Sequence, residues 1–313
     1  MAQVPVFAAR HVAAAVSPGE AVEAVREGFV AYARSEWTMP PKVYAPAYPA
    51  GDFRAMPALG GGFALLKWVT SFPGNPARGL PTVTGLVLVS DAETGTLRAV
   101  LDAAAVTALR TGAAAVLAAE TLGRPGGTAA VIGAGVNGKA VARTFLARGR
   151  RVALWDVNEE RAGETARDLG AEVAASREAA LAADVVVTVT PGRDVLFPSG
   201  SLRPGKHVSL MGADGPGKAE IAPEELARVR VFCDDWEQAS HNGDLVHAVE
   251  AGLVGREGVT ELGAVLAGDA PGRENADDVT AFDSTGLAIQ DLAIALAALE
   301  RAEDLPNLPR LEL

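Results

Sequence analysis

The sequence predicts an α/β protein, with one domain built around a doubly wound parallel sheet and a second α/β domain. From Thr128 to about Asp283, short apolar strands alternate with helices, a pattern typical of parallel strands covered by helices on both faces. From Met39 to Val100, short β-type runs are instead separated by glycine and proline turns, which predicts a mainly antiparallel sheet. The length of 313 residues agrees with about two domains.

The N-terminal part begins with a helix and continues into the antiparallel runs. Ser17-Pro18-Gly19-Glu20 is a capping box with proline at the first helical position, so a helix is predicted from there to about Ser35. A second helix is predicted from Asp102 to Leu122, where a Gly/Pro-rich segment ends it. The antiparallel runs lie at residues 63–70, 82–90 and 96–101, and residues 91–95 form a hairpin connection.

The parallel sheet is predicted from five apolar runs, Ala129–Ile132, Arg151–Trp155, Asp184–Thr190, His207–Met211 and Arg230–Cys233. After them, Asp283-Ser-Thr-Gly286 is predicted to open a helix with a leucine stripe. We expect this helix to return to the N-terminal domain, which makes that domain discontinuous. The predicted domains are therefore residues 1–122 with 286–313, and residues 123–285.

Charge and composition exclude several classes of protein. The formal net charge is −11 and no long Lys/Arg run is present, so nucleic acid and acidic membrane surfaces are not expected partners. No apolar stretch reaches the ~18 residues of a membrane helix. The N-terminus is not expected to be a signal peptide, because Arg10 and His11 interrupt its apolar stretch. The single cysteine, Cys233, fits a reducing cytoplasm. The four histidines lack metal-ligand spacing, so no metal is expected.

A glycine-rich turn is the most informative local feature. Gly133, Gly135 and Gly138 form G-x-G-x-x-G between the predicted strand at Ala129–Ile132 and a helix. A second strand then ends at Asp156, about 20 residues beyond Gly135. A dinucleotide site needs these parts in this order, because the glycines let backbone and helix N-terminus approach a pyrophosphate and the acid accepts hydrogen bonds from a ribose. The turn therefore predicts a Rossmann domain.

Asp156 also indicates whether the site prefers NAD or NADP. A carboxylate at Asp156 would repel a 2′-phosphate and favours NAD, whereas the nearby Arg161 leaves NADP as an alternative.

Further polar motifs follow one another along nearly the whole chain. They are Lys67 within an apolar strand, Leu-Arg110-Thr-Gly-Ala, the glycine turn, the Asp214…Lys218 loop and Asp283-Ser-Thr-Gly-Leu-Ala-Ile-Gln-Asp291. In this order they resemble the ornithine cyclodeaminase/mu-crystallin family. The resemblance implies an NAD(P)-binding Rossmann domain, a substrate-binding and dimerisation domain, and a homodimer. It also implies oxidation of an amino acid at Cα, or reduction of an imine, by hydride transfer.

The chemistry of such a reaction assigns roles to the remaining motifs. A substrate carboxylate needs a cation, for which Arg54 and Lys42 are candidates. Lys67 is a candidate acid/base, because burial or cationic neighbours would lower its pKa. The resemblance makes Asp214, after a parallel strand, the catalytic carboxylate, and we place Arg110 at a helix end near the pyrophosphate. The substrate set is Arg54, Lys42, Lys67 and Thr285; the cofactor set is Thr82, Arg110, Thr111, Gly133, Gly135, Val136, Asn137, Gly138, Asp156, Thr190, Met211, Lys218 and Ser284.

Plain structural roles compete with these assignments. Lys67 on its own reads as a snorkelling lysine of an edge strand, Arg54 as a surface salt-bridge residue, and Asp214 as a turn cap. The Asp234-Asp235 pair is interpreted as a solvated loop, and Ser284 as a helix N-cap that can also contact cofactor.

Within the family, Arg54 and Pro-Pro-Lys42 resemble the archaeal-type alanine dehydrogenase branch most. The leading hypothesis is therefore an NAD-dependent dehydrogenase of a small L-amino acid, which yields a 2-oxo acid, ammonia and NADH. An ornithine cyclodeaminase with recycled NAD, an NAD(P)H-dependent imine or ketimine reductase, and a non-catalytic cofactor-binding dimer are the alternatives.

Overall fold

The computed structural model describes residues 3–192, 194–213 and 217–313. In it the chain forms two compact units. The first unit comprises the chain up to Arg110 together with Leu287–Leu313, and the second comprises Thr111–Gly286. The predicted domain boundaries, at 122/123 and 285/286, stay predictions.

The described strands are β1 Gln3–Phe7, β2 Val43–Ala47, β3 Gly51–Gly60, β4 Phe63–Ser71, β5 Val83–Asp91, β6 Leu97–Asp102, β7 Ala129–Ile132, β8 Ala153–Trp155, β9 Glu172–Val173, β10 Val185–Thr188, β11 His207–Leu210, β12 Arg230–Cys233, β13 Val259–Glu261, β14 Thr280–Asp283 and β15 Arg310–Glu312. The described α-helices are α1 Ala9–Ala15, α2 Pro18–Ala33, α3 Ala103–Leu122, α4 Val136–Ala147, α5 Glu159–Leu169, α6 Arg177–Leu181, α7 Pro223–Leu226, α8 Trp236–Asn242, α9 Leu245–Glu250, α10 Leu262–Ala267 and α11 Ala288–Glu300. Short 3₁₀ turns lie at Asn75–Arg78 and Arg256–Gly258.

The first unit is a seven-stranded sheet in the order β15-β1-β6-β5-β4-β3-β2, antiparallel except between β1 and β6. Helix α11 packs against α2 and against β3, β4 and β5. Because side chains alternate between the two faces of a strand, Leu65, Lys67 and Val69 of β4 are buried, whereas Leu66 and Trp68 are exposed. This alternation places Lys67 on the buried face of the sheet.

The second unit is an eight-stranded sheet, parallel throughout, in the order β13-β12-β14-β11-β10-β7-β8-β9. From β7 the chain runs outward through β8 and β9, then returns to β10 on the other side of β7. Doubly wound sheets bind their ligands at this switch point, beyond the carboxyl ends of the strands. The prediction of an α/β fold with a doubly wound sheet and a second α/β part is confirmed.

Helix α3 is long and apolar enough to be considered as a membrane span by length and composition, but most of its apolar window is buried inside the protein. A mostly buried helix of this kind is typical of a core helix.

Several predicted elements need correction. The sequence pattern does not predict β2 and β3, because Pro46 and Pro57 interrupt them. Both prolines are tolerated: β2 is an edge strand, and Pro57 lies beyond the part of β3 that pairs with β2. The prediction that Asp283–Gly286 opens a helix is wrong. Residues 280–283 form the buried strand β14, and α11 begins only at Ala288, so Ser284 is not its N-cap.

Candidate active site

The glycine turn after β7 has the shape that a dinucleotide requires. Gly133 has φ = +102°, a conformation that side chains disfavour, and a Cβ there would lie 2.7 Å from the Val189 carbonyl oxygen. A Cβ on Gly138 would collide with the Gly133 carbonyl. A Cβ on Gly135, at the N-cap of α4, would meet nothing within 4 Å. Gly133 and Gly138 are thus required by the turn itself, whereas Gly135 keeps the helix N-terminus open to a ligand.

Asp156 follows β8 at the same edge of the sheet. The side chain is buried; its Oδ2 accepts a hydrogen bond from the Ala134 backbone N–H at 2.7 Å, and its Oδ1 from that of Asn158 at 2.8 Å. Each carboxylate oxygen has a second lone pair, so Asp156 can still accept a ribose hydroxyl. The Arg161 guanidinium lies 3.7 Å from Oδ2 and is half-exposed.

Glu220 is a buried carboxylate that was not predicted as a site residue. It connects the ends of strands β10 and β11. Glu220 accepts hydrogen bonds from the Thr188 hydroxyl at 2.6 Å, from the Thr190 hydroxyl at 2.5 Å and from the backbone N–H groups of Thr190 and Gly212. Burial raises the pKa of Glu220, and the four donors favour its ionised form. Glu220 therefore orients the predicted cofactor residue Thr190 and the backbone directly after Met211.

Asp214, the predicted catalytic carboxylate, lies outside the described residues, and its role stays a prediction. Lys218, from the same motif, lies within them; its backbone carbonyl is 3.1 Å from His247 Nε2.

A second buried carboxylate organises the segment after β14. Asp234 Oδ2 accepts hydrogen bonds from the Ser284 hydroxyl at 3.0 Å and from the Gly286 backbone N–H at 2.8 Å, and Oδ1 accepts one from the Thr285 hydroxyl at 3.4 Å. The interpretation of Asp234-Asp235 as a solvated loop is wrong, because both side chains are buried. The predicted residues Ser284 and Thr285 are held by a carboxylate 50 residues earlier in the chain.

The first unit contains a buried charged group made of Lys67, Asp291 and Arg110. Lys67 Nζ lies 2.8 Å from Asp291 Oδ1, and Arg110 Nε lies 3.7 Å from the same oxygen. Lys67 is 1% exposed and Asp291 is fully buried, which excludes the snorkelling interpretation of Lys67. Burial lowers the pKa of Lys67 to about 8, against the attraction of Asp291.

Arg110 differs from its predicted placement. It lies in the middle of α3, not at a helix end, and besides Asp291 it contacts Gln290, with Nη1 at 3.4 Å from Oε1. Its guanidinium therefore lies in the same group as Lys67. Thr111 is buried, and the role of both residues toward a cofactor stays a prediction.

Arg54 belongs to the same face of the sheet. It forms a two-point ion pair with Asp52, with N–O distances of 2.6 and 3.2 Å, and its guanidinium lies over the Tyr44 ring at 5.4 Å. The salt-bridge interpretation of Arg54 is thus correct in part, although the pair is largely buried. Lys42 precedes β2 and Thr82 precedes β5, both half-buried.

Known proteins resemble this chain over almost its whole length. The model of the ornithine cyclodeaminase/mu-crystallin family matches residues 5–305. An alanine dehydrogenase of Archaeoglobus fulgidus is 43% identical over 92% of this chain and 91% of its own length. An iminosuccinate reductase of Paracoccus denitrificans is 34% identical over 95% and 96%. Among solved structures, an archaeal alanine dehydrogenase dimer with bound NAD superposes with a TM-score of 0.92 at 39% identity, covering 100% of both chains.

Proposed function

Since the chain belongs to the ornithine cyclodeaminase/mu-crystallin family, as its motifs predicted, we propose that it is an NAD-dependent oxidoreductase acting on the Cα–NH₂ group of a small L-amino acid. The overall reaction converts the amino acid, NAD and water into a 2-oxo acid, ammonia and NADH. The observation that carries the proposal is the open glycine turn with Asp156 beside it, because this geometry fits a dinucleotide. The 43% identity to an alanine dehydrogenase favours alanine as substrate.

The residues of the first unit fit the substrate end of this reaction. Lys67, Arg110 and Asp291 together carry one net positive charge, and Asp52 compensates the charge of Arg54. One net positive charge suits a substrate with a single carboxylate.

The chemical steps then divide among the chain's own groups. When bound, NAD supplies the acceptor for the Cα hydride. Lys67 and Arg110 hold the substrate carboxylate, and Lys67, whose pKa burial lowers to about 8, exchanges a proton as water adds to the iminium carbon and ammonia leaves. We assign Asp214, from the family resemblance, to stabilise the iminium charge and to accept the proton of the attacking water.

The proposal is tested by following NADH absorbance and ammonia release with purified protein, NAD, and L-alanine or L-ornithine. Sustained NADH formation with matching ammonia from alanine is the expected result. Ammonia from ornithine without lasting NADH would instead indicate a cyclodeaminase. Faster turnover of a cyclic imine with NAD(P)H than of pyruvate plus ammonia would indicate an imine reductase. Tight NADH binding without turnover of any of these substrates would indicate a non-catalytic protein.

Replacing Asp156 by alanine is expected to weaken NAD binding about 10- to 100-fold, because hydrogen bonds to a charged group contribute about 1.5–3 kcal/mol. NADP should bind relatively better, since the repulsion of its 2′-phosphate is removed. Dissociation constants for NADH and NADPH, measured by fluorescence titration, check both effects. The matched control is Arg161→Ala, which should shift the preference further toward NAD. An unchanged NADH/NADPH ratio in Asp156→Ala would remove Asp156 from the ribose site.

We further propose a cytoplasmic homodimer that forms through the outer face of the first unit's sheet. Trp68 and Leu86 are directly paired on neighbouring strands and are 45% and 51% exposed, and Phe53 stacks on Trp68 at 5.7 Å. Exposed apolar side chains that are neighbours on one sheet face are typical of an interface. We propose that a second copy of the chain covers this face, because the similar alanine dehydrogenase structure is a dimer.

The double substitution Trp68→Glu/Leu86→Lys is expected to give a monomer, because charged side chains on this face oppose its burial against a second copy. Light scattering during size-exclusion chromatography measures the mass. The control is Val157→Glu, an exposed apolar residue of the second unit, which should leave the mass unchanged. A double variant that stays dimeric would place the interface elsewhere.

A further inference from the structure

We propose that Asp291 is the positioning residue of Lys67: its buried carboxylate holds the Lys67 ammonium charged and in place for the substrate. This inference rests on the proposed function. It starts from the contact of 2.8 Å between Lys67 Nζ and Asp291 Oδ1, both groups being excluded from water. Two opposite charges buried together are retained only when they satisfy one another, because a single buried charge is strongly disfavoured.

The fold brings these two residues together from distant parts of the sequence. Lys67 points from the buried face of β4, and Asp291 lies in the first turn of α11, which packs on that face. The N-terminus of a helix favours a negative charge. The helix end and the two cations thus all attract the carboxylate of Asp291.

The buried charged group of Lys67, Asp291 and Arg110 can bind a further anion. Among the described residues, Arg110 Nε and Asp291 Oδ2 are buried without a hydrogen-bond partner. Arg110 Nε is therefore a donor still available for a substrate carboxylate, whereas Asp291 Oδ1 is already engaged by Lys67. Asp291 does not contact the substrate in this arrangement; it acts through Lys67.

The charges that face Lys67 come from three elements. Asp291 of α11 favours the ammonium form, whereas Arg110 of α3 and Arg54 of β3 disfavour it, as does burial. Removing the carboxylate leaves two cationic neighbours and the desolvation, all of which lower the Lys67 pKa further. A smaller fraction of Lys67 would then be charged near neutral pH, and Lys67 would attract a substrate carboxylate less strongly.

The test replaces Asp291 by asparagine, which keeps the shape and removes the charge. At pH 7.5, kcat/KM for alanine with NAD is expected to fall at least about threefold, because lowering the Lys67 pKa by about one unit from about 8 reduces its charged fraction by that factor. The ratio of variant to wild-type kcat/KM should rise as the pH is lowered, because Lys67 regains its proton. A purely structural role would lower activity by a factor independent of pH, and this outcome would overturn the proposal.

A direct titration separates this inference from the proposed function. The Cε resonance of Lys67, assigned with Lys67→Met, can be followed by NMR with ¹³C-labelled lysine. Its midpoint is expected at least about one pH unit lower in Asp291→Asn than in the wild type, equivalent to a tenfold change in the protonation constant. An unchanged midpoint would overturn the role of Asp291. A lowered midpoint in a protein that turns over no amino acid would support the electrostatic coupling and reject the proposed function.

A double variant tests whether the fold tolerates the loss of the Asp291 charge. Lys67→Met/Asp291→Leu removes both charges, and a buried ion pair replaced by apolar residues commonly leaves stability unchanged or higher. Its circular dichroism spectrum should match that of the wild type, although some stability is lost because Arg110 no longer has a charged partner. Asp291→Asn should also add no further loss of activity to Lys67→Met, because Asp291 acts through Lys67. A further loss of tenfold or more would mean that Asp291 acts independently, against the proposal.

Discussion

Replacing Lys67 by methionine is expected to lower kcat/KM for the amino acid about 10³-fold, because both a cation for the substrate carboxylate and a proton-transfer group are lost. Methionine preserves most of the volume on the buried face of β4, so the packing should be retained. NADH affinity should stay within about twofold, because the glycine turn and Asp156 belong to the other unit. NADH formation and fluorescence titration measure the two effects separately.

The chain offers a matched control for this substitution. Lys206 is a second buried lysine whose pKa burial also lowers to about 8, but it lies at the N-terminal end of β11, opposite to the edge that carries the glycine turn. Its Nζ donates hydrogen bonds to the carbonyl oxygens of Leu181 and, at 2.6 Å, Ala183. Lys206→Met should therefore cost about 1–3 kcal/mol of stability and leave kcat/KM nearly unchanged. Equal losses of activity in both variants would remove Lys67 from the mechanism.

Substitutions at Gly135 and Gly138 in the glycine turn are expected to give the second large effect, a loss of NADH binding. The two variants should differ in their effect on stability. Gly135→Ala is expected to weaken NADH binding about 100-fold or more, equivalent to about 2.7 kcal/mol, while the thermal midpoint stays the same. The reason is that the new Cβ fills space that is open in the protein and that a pyrophosphate would use. Gly138→Ala is expected to weaken binding at least as much and to lower stability by about 1–3 kcal/mol, because its Cβ collides with the Gly133 carbonyl.

Thermal unfolding without cofactor, together with NADH titration, distinguishes the two variants. Added NADH should raise the thermal midpoint of the wild type but not of Gly135→Ala, since a ligand stabilises only the form that binds it. Normal NADH affinity in Gly135→Ala would mean that the turn does not hold a pyrophosphate.

The motifs differ in how far the sequence alone could explain them. The glycine spacing predicted the turn and strand β7 with correct bounds, because a strand, a tight turn and a helix start depend on neighbouring residues. Lys67 was identified only through its family resemblance. From its strand pattern alone a snorkelling lysine was the simpler interpretation, since the periodicity of β4 gives no sign of a partner on the other side of the core.

The buried carboxylates show most clearly what could not be predicted from the sequence. Glu220 and Asp234 were not predicted to organise strand ends, and Asp291 was part of a recognised motif without an assigned partner. A carboxylate in a charged-residue pattern usually indicates a solvated surface, and the sequence contains no local signal for the groups that satisfy it. In each case the donors come from other strands or helices that the fold brings close.

The sequence by itself determined the fold class, the family, the dinucleotide turn and the acid beside it, because these depend on short-range spacing and on alternation of apolar residues. Only the tertiary structure decided that Lys67 is paired with Asp291, 224 residues away, that Arg110 joins them from the middle of α3, and that Arg54 is already held by Asp52. The physical reason is that a buried charge must be matched by an opposite charge or hydrogen-bond donors. The chain packing, not the sequence spacing, chooses which distant residues provide them.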